Sequence, residues 1–379
     1  MGAVDVIILH PLPGDGAGPL VTALADDRST LAEGLRTRFR VAGAAGVEVV
    51  ASQPDRRPFG TRLRTVLEAR AAGRGLVVLG SGALPLATAG DLVAFVGAAG
   101  ADDTRALANN RYSADVLALS AGAVAVLRRL PADFPADNAL PRWLSEVGGV
   151  RVDDLRARWR LAMDLDSPLD AILIGLTGAG RATLVAADRL GPAANRVAER
   201  LTAIRAVLFD RRAELVVAGR TSAATLGWLE RHARCRVRAL VEERGLRAAS
   251  RLALADPLSA SGRPPRSILG AILDRDGPAS LGARLAELGD AALVDSRVLL
   301  AHRLGPDEGA WPLAEDRFGS DLLDPAAIVD PWLAAVTASA AGAPIPVLLG
   351  GHSLVGPGVR LIGRSAGRGG PARAKDRAG

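Results

Sequence analysis

The chain contains almost no lysine, and this limits the chemistry open to it. Of the 379 residues only Lys375 is a lysine, so every other basic residue is an arginine. A phosphate-loop lysine, a Schiff-base lysine and a lysine general base are therefore excluded from everything before the tail. Arginine together with abundant alanine, glycine and proline is typical of a GC-rich coding sequence, which is the simplest explanation of the formal charge of +6.

Cysteine, aromatic residues and long apolar runs are also scarce. Cys235 alone allows neither an internal disulfide nor a multi-cysteine metal site. Aromatic residues make up 3% of the chain and the arginines are interspersed with acids, so a nucleic-acid surface is not indicated. No segment reaches the roughly 18 uninterrupted apolar residues of a membrane span, and the N-terminus lacks the basic start of a signal peptide. We expect a cytoplasmic protein without nucleic-acid or membrane partners, and we leave a homodimer open.

The length and the pattern of apolar runs indicate two α/β domains. A chain of 379 residues is too long for one typical core. Short apolar runs that suit buried strands alternate with segments of helical periodicity in both halves. We predict a three-layer, Rossmann-like domain over residues 1–178, a second α/β domain over residues 190–362, and a disordered basic tail over residues 363–379.

The most informative stretch is GLVVLGSGALPLATAGDLVAF, which covers residues 75–95. Its apolar start predicts a strand buried on both faces of a parallel sheet. Thr88 is a suitable N-cap for a helix whose apolar positions begin at Leu92. The Leu-Pro-Leu segment between them, with the glycines that precede it, is called the crevice turn below (residues 80–86). A strand, a tight turn and a capped helix predict a ligand crevice at the carboxyl end of the strand.

Two further segments accompany this turn, and the three together carry a family resemblance. They are the polar segment NNRYS at residues 109–113 and the segment DLDSPLD at residues 164–170, called the closing motif below. In this order they resemble the MobA-like nucleotidyltransferases of the GT-A type, nearest to the phospholactate guanylyltransferase-like branch. The resemblance covers about residues 4–175. It implies transfer of a nucleotidyl group from a nucleoside triphosphate to a phosphorylated small molecule.

The resemblance also implies a divalent metal, which we expect to be Mg²⁺. Its ligands in this chain would be Asp164 and Asp166, because hard cations prefer carboxylate oxygens. The family's other carboxylate stands two residues before the proline of the crevice turn, and here that position is Ala83. Asp91 lies too far along the chain to replace it without rearrangement. Asp164 and Asp166 could equally be a solvated or helix-capping pair before Pro168.

The nucleotide contacts that the resemblance implies are also altered. The loop HPLPGDGAG after the first strand contains Gly14 and Gly16, whose backbone N–H groups could approach a phosphate, but it has no lysine. Gly82 in the crevice turn and Asn110 in the polar segment complete the predicted nucleotide-binding residues of this half.

The second half resembles no family, but polar clusters follow its predicted strands. Arg220, Thr221 and Ser222 follow the strand at 214–218 and could hold an anion at a helix N-terminus, although an ordinary helix cap has the same pattern. The segment at 315–321 is predicted to be a polar loop. If the strand ends converge, Asp295 or Asp321 with His352 could perform acid–base chemistry.

Two functions follow from these patterns. The first is a nucleotidyltransferase-like enzyme with Mg²⁺. The second is a catalytically degenerate ligand-binding or scaffold protein, a pseudoenzyme whose remaining activity lies in the second domain. The test between them is geometric. If no acidic side chain from elsewhere comes near Asp164 and Asp166, the two-carboxylate metal site is lost.

Overall fold

The computed structural model shows an α/β protein with two β-sheets. It describes residues 2–53, 55, 57–70, 72–134, 139–177, 190–242 and 265–364. Residues 178–189, at the predicted domain boundary, and residues 365–379 of the predicted tail lie outside these ranges. In the part of the chain that is described, no helix is both long enough and apolar enough to cross a bilayer.

The first sheet has six strands in the order β2-β1-β3-β5-β4-β6. All neighbours are parallel except β5, which runs antiparallel to both β3 and β4. The strands are β1 (Val4–Pro11), β2 (Gly46–Ser52), β3 (Gly75–Gly80), β4 (Arg105–Ala108), β5 (Val116–Leu119) and β6 (Arg151–Asp154).

Helices cover both faces of this sheet, as predicted for a three-layer domain. In β3 the side chains alternate, so that Val77 and Leu79 join one apolar cluster while Leu76 and Val78 join another. The first face carries α1 (Pro19–Val41), α3 (Ala89–Ala99) and α6 (Pro168–Gly175), and the second carries α2 (Phe59–Glu68), α4 (Ala121–Leu127) and α5 (Leu140–Glu146). Burial on both faces explains why β3 is an unbroken apolar run.

The second sheet has four parallel strands in the order β10-β9-β7-β8. They are β7 (Glu214–Gly219), β8 (Arg236–Val241), β9 (Ala291–Asp295) and β10 (Val347–Gly350). Its helices are α7 (Pro192–Leu208), α8 (Ala223–His232), α9 (Ile268–Asp276), α10 (Leu281–Leu288), α11 (Ser296–Leu304), α12 (Ala314–Asp321), α13 (Pro331–Ala341) and α14 (Val359–Arg364). The α/β class predicted from the sequence is confirmed for both halves.

The polar loop predicted at 315–321 is wrong, because this segment is helix α12. Glu315 and Asp316 lie in its first turn, where negative charge interacts favourably with the helix dipole. Phe318 is buried and anchors the helix to the core. A dense run of charged residues therefore concealed a short amphipathic helix.

Glu315 also joins the two halves of the protein. Its carboxylate accepts hydrogen bonds from the backbone N–H groups of Leu20 (3.0 Å) and Val21 (3.1 Å) in the first turn of α1. The N-cap residue of α1, Gly18, has no side chain to do this. A Cβ atom at Gly18 would overlap the Glu315 carboxyl, so glycine is required for this close approach.

We expect Glu315→Ala to lower the free energy of unfolding by about 1–2 kcal/mol, since it removes a side chain that caps α1 and a charge that interacts favourably with the helix dipole. Glu315→Gln should lose less, because an amide oxygen can still accept one hydrogen bond. Urea denaturation measures both changes. Glu287→Ala, which removes an exposed partner of Arg284, serves as the control and should cost under ~1 kcal/mol. Equal losses in the two alanine variants would contradict the capping role.

Candidate functional site

The closing motif lies directly against the crevice turn. The N–H of Leu165 donates to the carbonyl oxygen of Gly82 at 2.8 Å. A Cβ atom at Gly82 would lie 2.7 Å from the Leu165 carbonyl oxygen, so a side chain there would push the two segments apart. Ser167 caps α6 by accepting from the N–H of Asp170, and Pro168 occupies the first turn. These local interactions fix the backbone that carries Asp164 and Asp166.

A second carboxyl group lies next to Asp164, and it belongs to Asp115. Asp115 immediately precedes β5, the strand that pairs with β3, and its carbonyl oxygen accepts from Gly80 N at 3.3 Å. The carboxyl groups of Asp115 and Asp164 are within hydrogen-bonding reach of each other. An acidic side chain from elsewhere in the sequence therefore does lie near Asp164. It precedes the neighbouring strand β5 and does not belong to the crevice turn.

Asn109 fixes the position of Asp115. Its amide nitrogen donates to Asp115 Oδ2 at 2.8 Å and to the carbonyl oxygen of Leu161 at 3.0 Å. Its amide oxygen accepts from the N–H groups of Asp115 and Val116 at 3.0 and 3.3 Å. Asn109 is buried and its side chain makes hydrogen bonds on both sides. The Asp115 carboxyl is thus held by a side chain that cannot easily rotate away.

The surroundings of this pair disfavour two negative charges. Burial raises the pKa of Asp164 well above its usual range, and the charges of Asp166 and Asp170 add to the shift. Burial likewise raises the pKa of Asp115, with Asp164 as the next cause. Oδ1 of Asp164 is buried, and no donor from the described part of the chain reaches it. Two acceptor groups that face each other need a shared proton or a cation between them.

Asp166 differs from its neighbours because it reaches solvent and is paired. Its side chain is 57% exposed, and Arg28 Nη2 lies 2.8 Å from its Oδ1. Burial acts to raise the pKa of Asp166, but Arg28 and His352 outweigh it and the net shift is downward. Arg28 also donates through Nε to the carbonyl oxygen of Leu165 at 2.7 Å. Asp166 therefore remains an ionised carboxylate at the edge of the crevice.

The second sheet contributes a histidine to the same place. His352 follows β10, and its Nε2 lies 3.4 Å from Asp164 Oδ2. The Ser353 hydroxyl donates to the Asp164 carbonyl oxygen at 3.4 Å. The polar ends of the two sheets thus meet at the crevice turn, whereas the sequence predicted convergence only among the strand ends of the second half. We call the set Asp115, Asp164, Asp166, Asp170, Arg28 and His352 the acidic cleft.

The predicted acid partners of His352 have other partners. Asp295 accepts two hydrogen bonds from the Arg220 guanidinium, at 2.6 and 3.0 Å. Asp321 forms a buried two-point ion pair with Arg297, whose Nη2 donates to Asp321 Oδ2 at 2.7 Å. In the described residues the carboxylate closest to His352 is Asp164, so Asp295 and Asp321 act as partners of arginines.

The predicted anion-binding residues of the second half are only partly available. Ser222 caps α8 by accepting from the Thr225 N–H at 3.2 Å, which agrees with the helix-cap alternative. Thr221 is buried, and its hydroxyl oxygen has no hydrogen-bond partner among the residues that the structure describes. Arg220 is held by Asp295 yet lies close enough to Asp166 to lower the pKa of that carboxyl. Arg220 therefore connects the second sheet to the acidic cleft.

The loop predicted to bind phosphate lies between β1 and α1. The N–H groups at the start of α1 are already bound by another side chain. Gly14 accepts a turn hydrogen bond from Ala17, and Gly16 has a left-handed φ of 77°. The two N–H groups of α1 that follow this loop already bind Glu315. Asn110 accepts from the Tyr112 N–H in a local turn, so it is Asn109 that contacts the acidic cleft.

No family model, curated protein or solved structure matches this chain. Its function is therefore inferred from the geometry of the acidic cleft. Within the described ranges no group of three or more acidic, histidine or cysteine side chains is arranged as a metal cage.

The acidic cleft does fit a divalent cation of the Mg²⁺ type, held by two carboxylates. Oδ1 of Asp164 is a buried oxygen that lacks a donor, and Asp115 supplies another oxygen beside it. Mg²⁺ is commonly bound by one or two carboxylates, with water and substrate phosphates completing its shell. The absence of a three-residue cage is consistent with that kind of site.

Sequence reasoning missed Asp115, Asn109 and Arg28. Asp115 looked like the first polar residue of a strand, and Arg28 like one of many surface arginines. The sequence did contain a signal for Asp115. Because Ala83 stands where the resembled family has a carboxylate, another acid had to be sought, and Asp115 begins the next apolar run after NNRYS. That signal could not be read without knowing that β5 pairs with β3.

Proposed function

We propose that this protein is a nucleotidyltransferase-like enzyme that uses Mg²⁺ to move a nucleotidyl group from a nucleoside triphosphate to a phosphorylated small molecule. One observation carries the proposal: the closing-motif acids share a cleft with a second carboxyl group, an arginine and a histidine at the meeting point of two sheets. The resemblance of residues 4–175 to the MobA-like family supports the same reaction class. Such substrates fit a cytoplasmic location.

In this reaction the carboxylates of the acidic cleft would bind the metal and the nearby arginines would bind phosphate. Asp164 would hold Mg²⁺ with Asp166 or Asp115 as the second carboxylate, and the ion would supply charge neutralisation for the triphosphate. A phosphate oxygen of the acceptor, already ionised, attacks the α-phosphorus, and the α–β anhydride bond breaks to release pyrophosphate. No proton has to be removed from this nucleophile. Arg28, which pairs with Asp166, and Arg220, whose charge lowers the pKa of Asp166, would bind phosphate oxygens.

We expect one nucleoside triphosphate, together with Mg²⁺, to raise the melting temperature of the protein by several degrees. A ligand at about 100 times its Kd adds roughly 2.7 kcal/mol to the stability of the native state. The measurement is a thermal-shift screen of the common triphosphates with and without Mg²⁺. Absence of a shift with every triphosphate would reject the enzyme function.

If transfer is found, Asp166→Asn should abolish it while leaving the fold intact. The side chain is more than half exposed, so removing its charge costs little stability. Release of pyrophosphate measures the activity, and circular dichroism checks the fold. Asp103→Asn is the matched control, because Asp103 also pairs with an arginine on an exposed surface. Unchanged turnover in Asp166→Asn would refute the role given to this residue.

The alternative is a catalytically degenerate ligand-binding or scaffold protein, and one observation favours it. Glu315 occupies the α1 N–H groups beside the loop that the resemblance assigns to the nucleotide. An internal carboxylate there would repel a triphosphate. For this function we expect no triphosphate to change the melting temperature of the native sequence, whatever the Mg²⁺ concentration.

A further inference from the structure

We propose that Asp115 replaces the carboxylate missing at position 83 and, with Asp164, forms a divalent-cation site that fills before any nucleotide binds. The inference deepens the proposed function and rests on it for the role of the cation in the reaction.

Asp115 lies next to the crevice turn. In the antiparallel pair, Val116 of β5 stands opposite Leu79 of β3, and the Asp115 carbonyl oxygen accepts from Gly80 N. Asp115 therefore begins at the level where β3 ends and the crevice turn starts. Ala83 closes that turn through a hydrogen bond from its N–H to the Gly80 carbonyl oxygen at 3.1 Å. A carboxylate from either segment can therefore be presented at the same end of β3.

One carboxylate oxygen of Asp164 is buried without a donor among the described residues. Asp164 is 94% buried at its side chain, and its Oδ1 has no hydrogen-bond partner in the described structure. Nε2 of His352 lies 3.4 Å from its other oxygen, which is long for a charge-assisted hydrogen bond. Asn109 donates to Oδ2 of Asp115. Among the described residues no donor reaches the buried Oδ1 of Asp164, which leaves this oxygen available to a cation.

The carboxylates of Asp115 and Asp164 suit a hard divalent cation. Both donors are carboxylate oxygens, which favour Mg²⁺, Mn²⁺ or Ca²⁺ over softer metals. The side chain of Asp115 is partly exposed and that of Asp166 mostly so, which leaves room for water ligands on the solvent side. A site with two carboxylates and several waters is the arrangement in which Mg²⁺ commonly binds.

The test measures binding of Mn²⁺ alone to the full-length protein at pH 8, by electron paramagnetic resonance, with Mg²⁺ as competitor. We expect one Mn²⁺ per chain, displaced by Mg²⁺, with at least a tenfold loss of affinity in both Asp115→Asn and Asp164→Asn. Asparagine keeps the shape of each side chain and removes its charge. Asp103→Asn is the control and should bind Mn²⁺ like the native sequence.

Two results would overturn the inference. In the first, Asp115→Asn binds Mn²⁺ with native affinity while Asp164→Asn does not, which would mean that the closing motif holds the metal without Asp115. In the second, the native protein binds no Mn²⁺ up to millimolar concentration, which would mean that the two carboxyls share a proton. Either result leaves the triphosphate screen to decide the proposed function separately. Circular dichroism of each variant excludes loss of fold as the cause.

Discussion

Arg297→Met is expected to lower the free energy of unfolding by about 3–5 kcal/mol, because it leaves the carboxylate of Asp321 buried without a partner. Asp321 is fully buried and Arg297 nearly so. Their two-point ion pair joins the start of α11 to the end of α12. Burial raises the pKa of Asp321 in spite of the adjacent Arg297, which is the sign of a carboxylate that has lost its water.

The control for this variant is Arg284→Met. Arg284 is 38% exposed and pairs with Asp276 and Glu287 at the surface, so its loss should cost under ~1 kcal/mol. The double variant Arg297→Met/Asp321→Leu should recover most of the lost stability, since an apolar pair leaves no uncompensated charge. Urea denaturation of the four proteins measures these differences. A double variant as unstable as Arg297→Met would show that the stability was lost through packing and not through the charge.

The second large effect concerns pH and Asp170. Burial raises the pKa of Asp170 from 3.8 to about 7, and the charges of Asp166 and Asp321 add to the shift while His352 opposes it. Between these two values the folded protein keeps a proton that the unfolded chain releases. The contribution is therefore complete below pH 4 and is lost as the pH rises to about 7. We expect the free energy of unfolding to fall over this interval by up to roughly 4 kcal/mol.

Asp170→Asn should remove much of this pH dependence, because the amide stays neutral and its oxygen can still accept from Ser167. Near pH 5 the variant and the native protein should be similarly stable, and at pH 8 the variant should be the more stable one by about 1–3 kcal/mol. Urea denaturation at several pH values, in the presence of EDTA, measures both curves. Parallel curves would contradict the assignment. Some slope should remain, because the pKa values of Asp115 and Asp164 are raised as well.

The opposing shifts within the acidic cleft carry a functional meaning. Arg28 lowers the pKa of Asp166 and favours its ionised form. Burial raises the pKa values of Asp164 and Asp115, which favours their protonated forms. Closely spaced carboxyls with divergent pKa values are characteristic of sites that bind cations or transfer protons. A divalent cation would relieve the repulsion between these groups. The same repulsion therefore lowers the stability of the metal-free protein and favours the proposed metal-bound form.

Local patterns were sufficient for the elements that depend on short-range forces. The apolar run at β3 predicted a strand buried on both faces, and Thr88 with Asp91 forms the capping box at the start of α3. Both follow from neighbours in sequence, so no tertiary knowledge was needed. The same is true of Ser222 as the cap of α8.

Charged segments were predicted less well, because their partners lie far away in the sequence. Helix α12 looked like a polar loop, yet Glu315 binds α1 almost 300 residues earlier and Asp321 binds Arg297. The sequence shows that these residues are charged, but it does not show which charges meet. A buried ion pair and a solvated one have the same one-dimensional signature.

The crevice turn shows how far the sequence alone can predict the site. The sequence by itself determined its strand, its proline, its helix cap and the alanine where the resembled family has a carboxylate. Only the tertiary structure decided that β5 runs antiparallel beside β3 and brings Asp115 to that same end of the strand. The physical reason is that pairing between strands depends on backbone hydrogen bonds, and these carry no side-chain signature along the chain. The loss at position 83 is therefore visible in the sequence, while the group that we propose as its replacement is visible only in the fold.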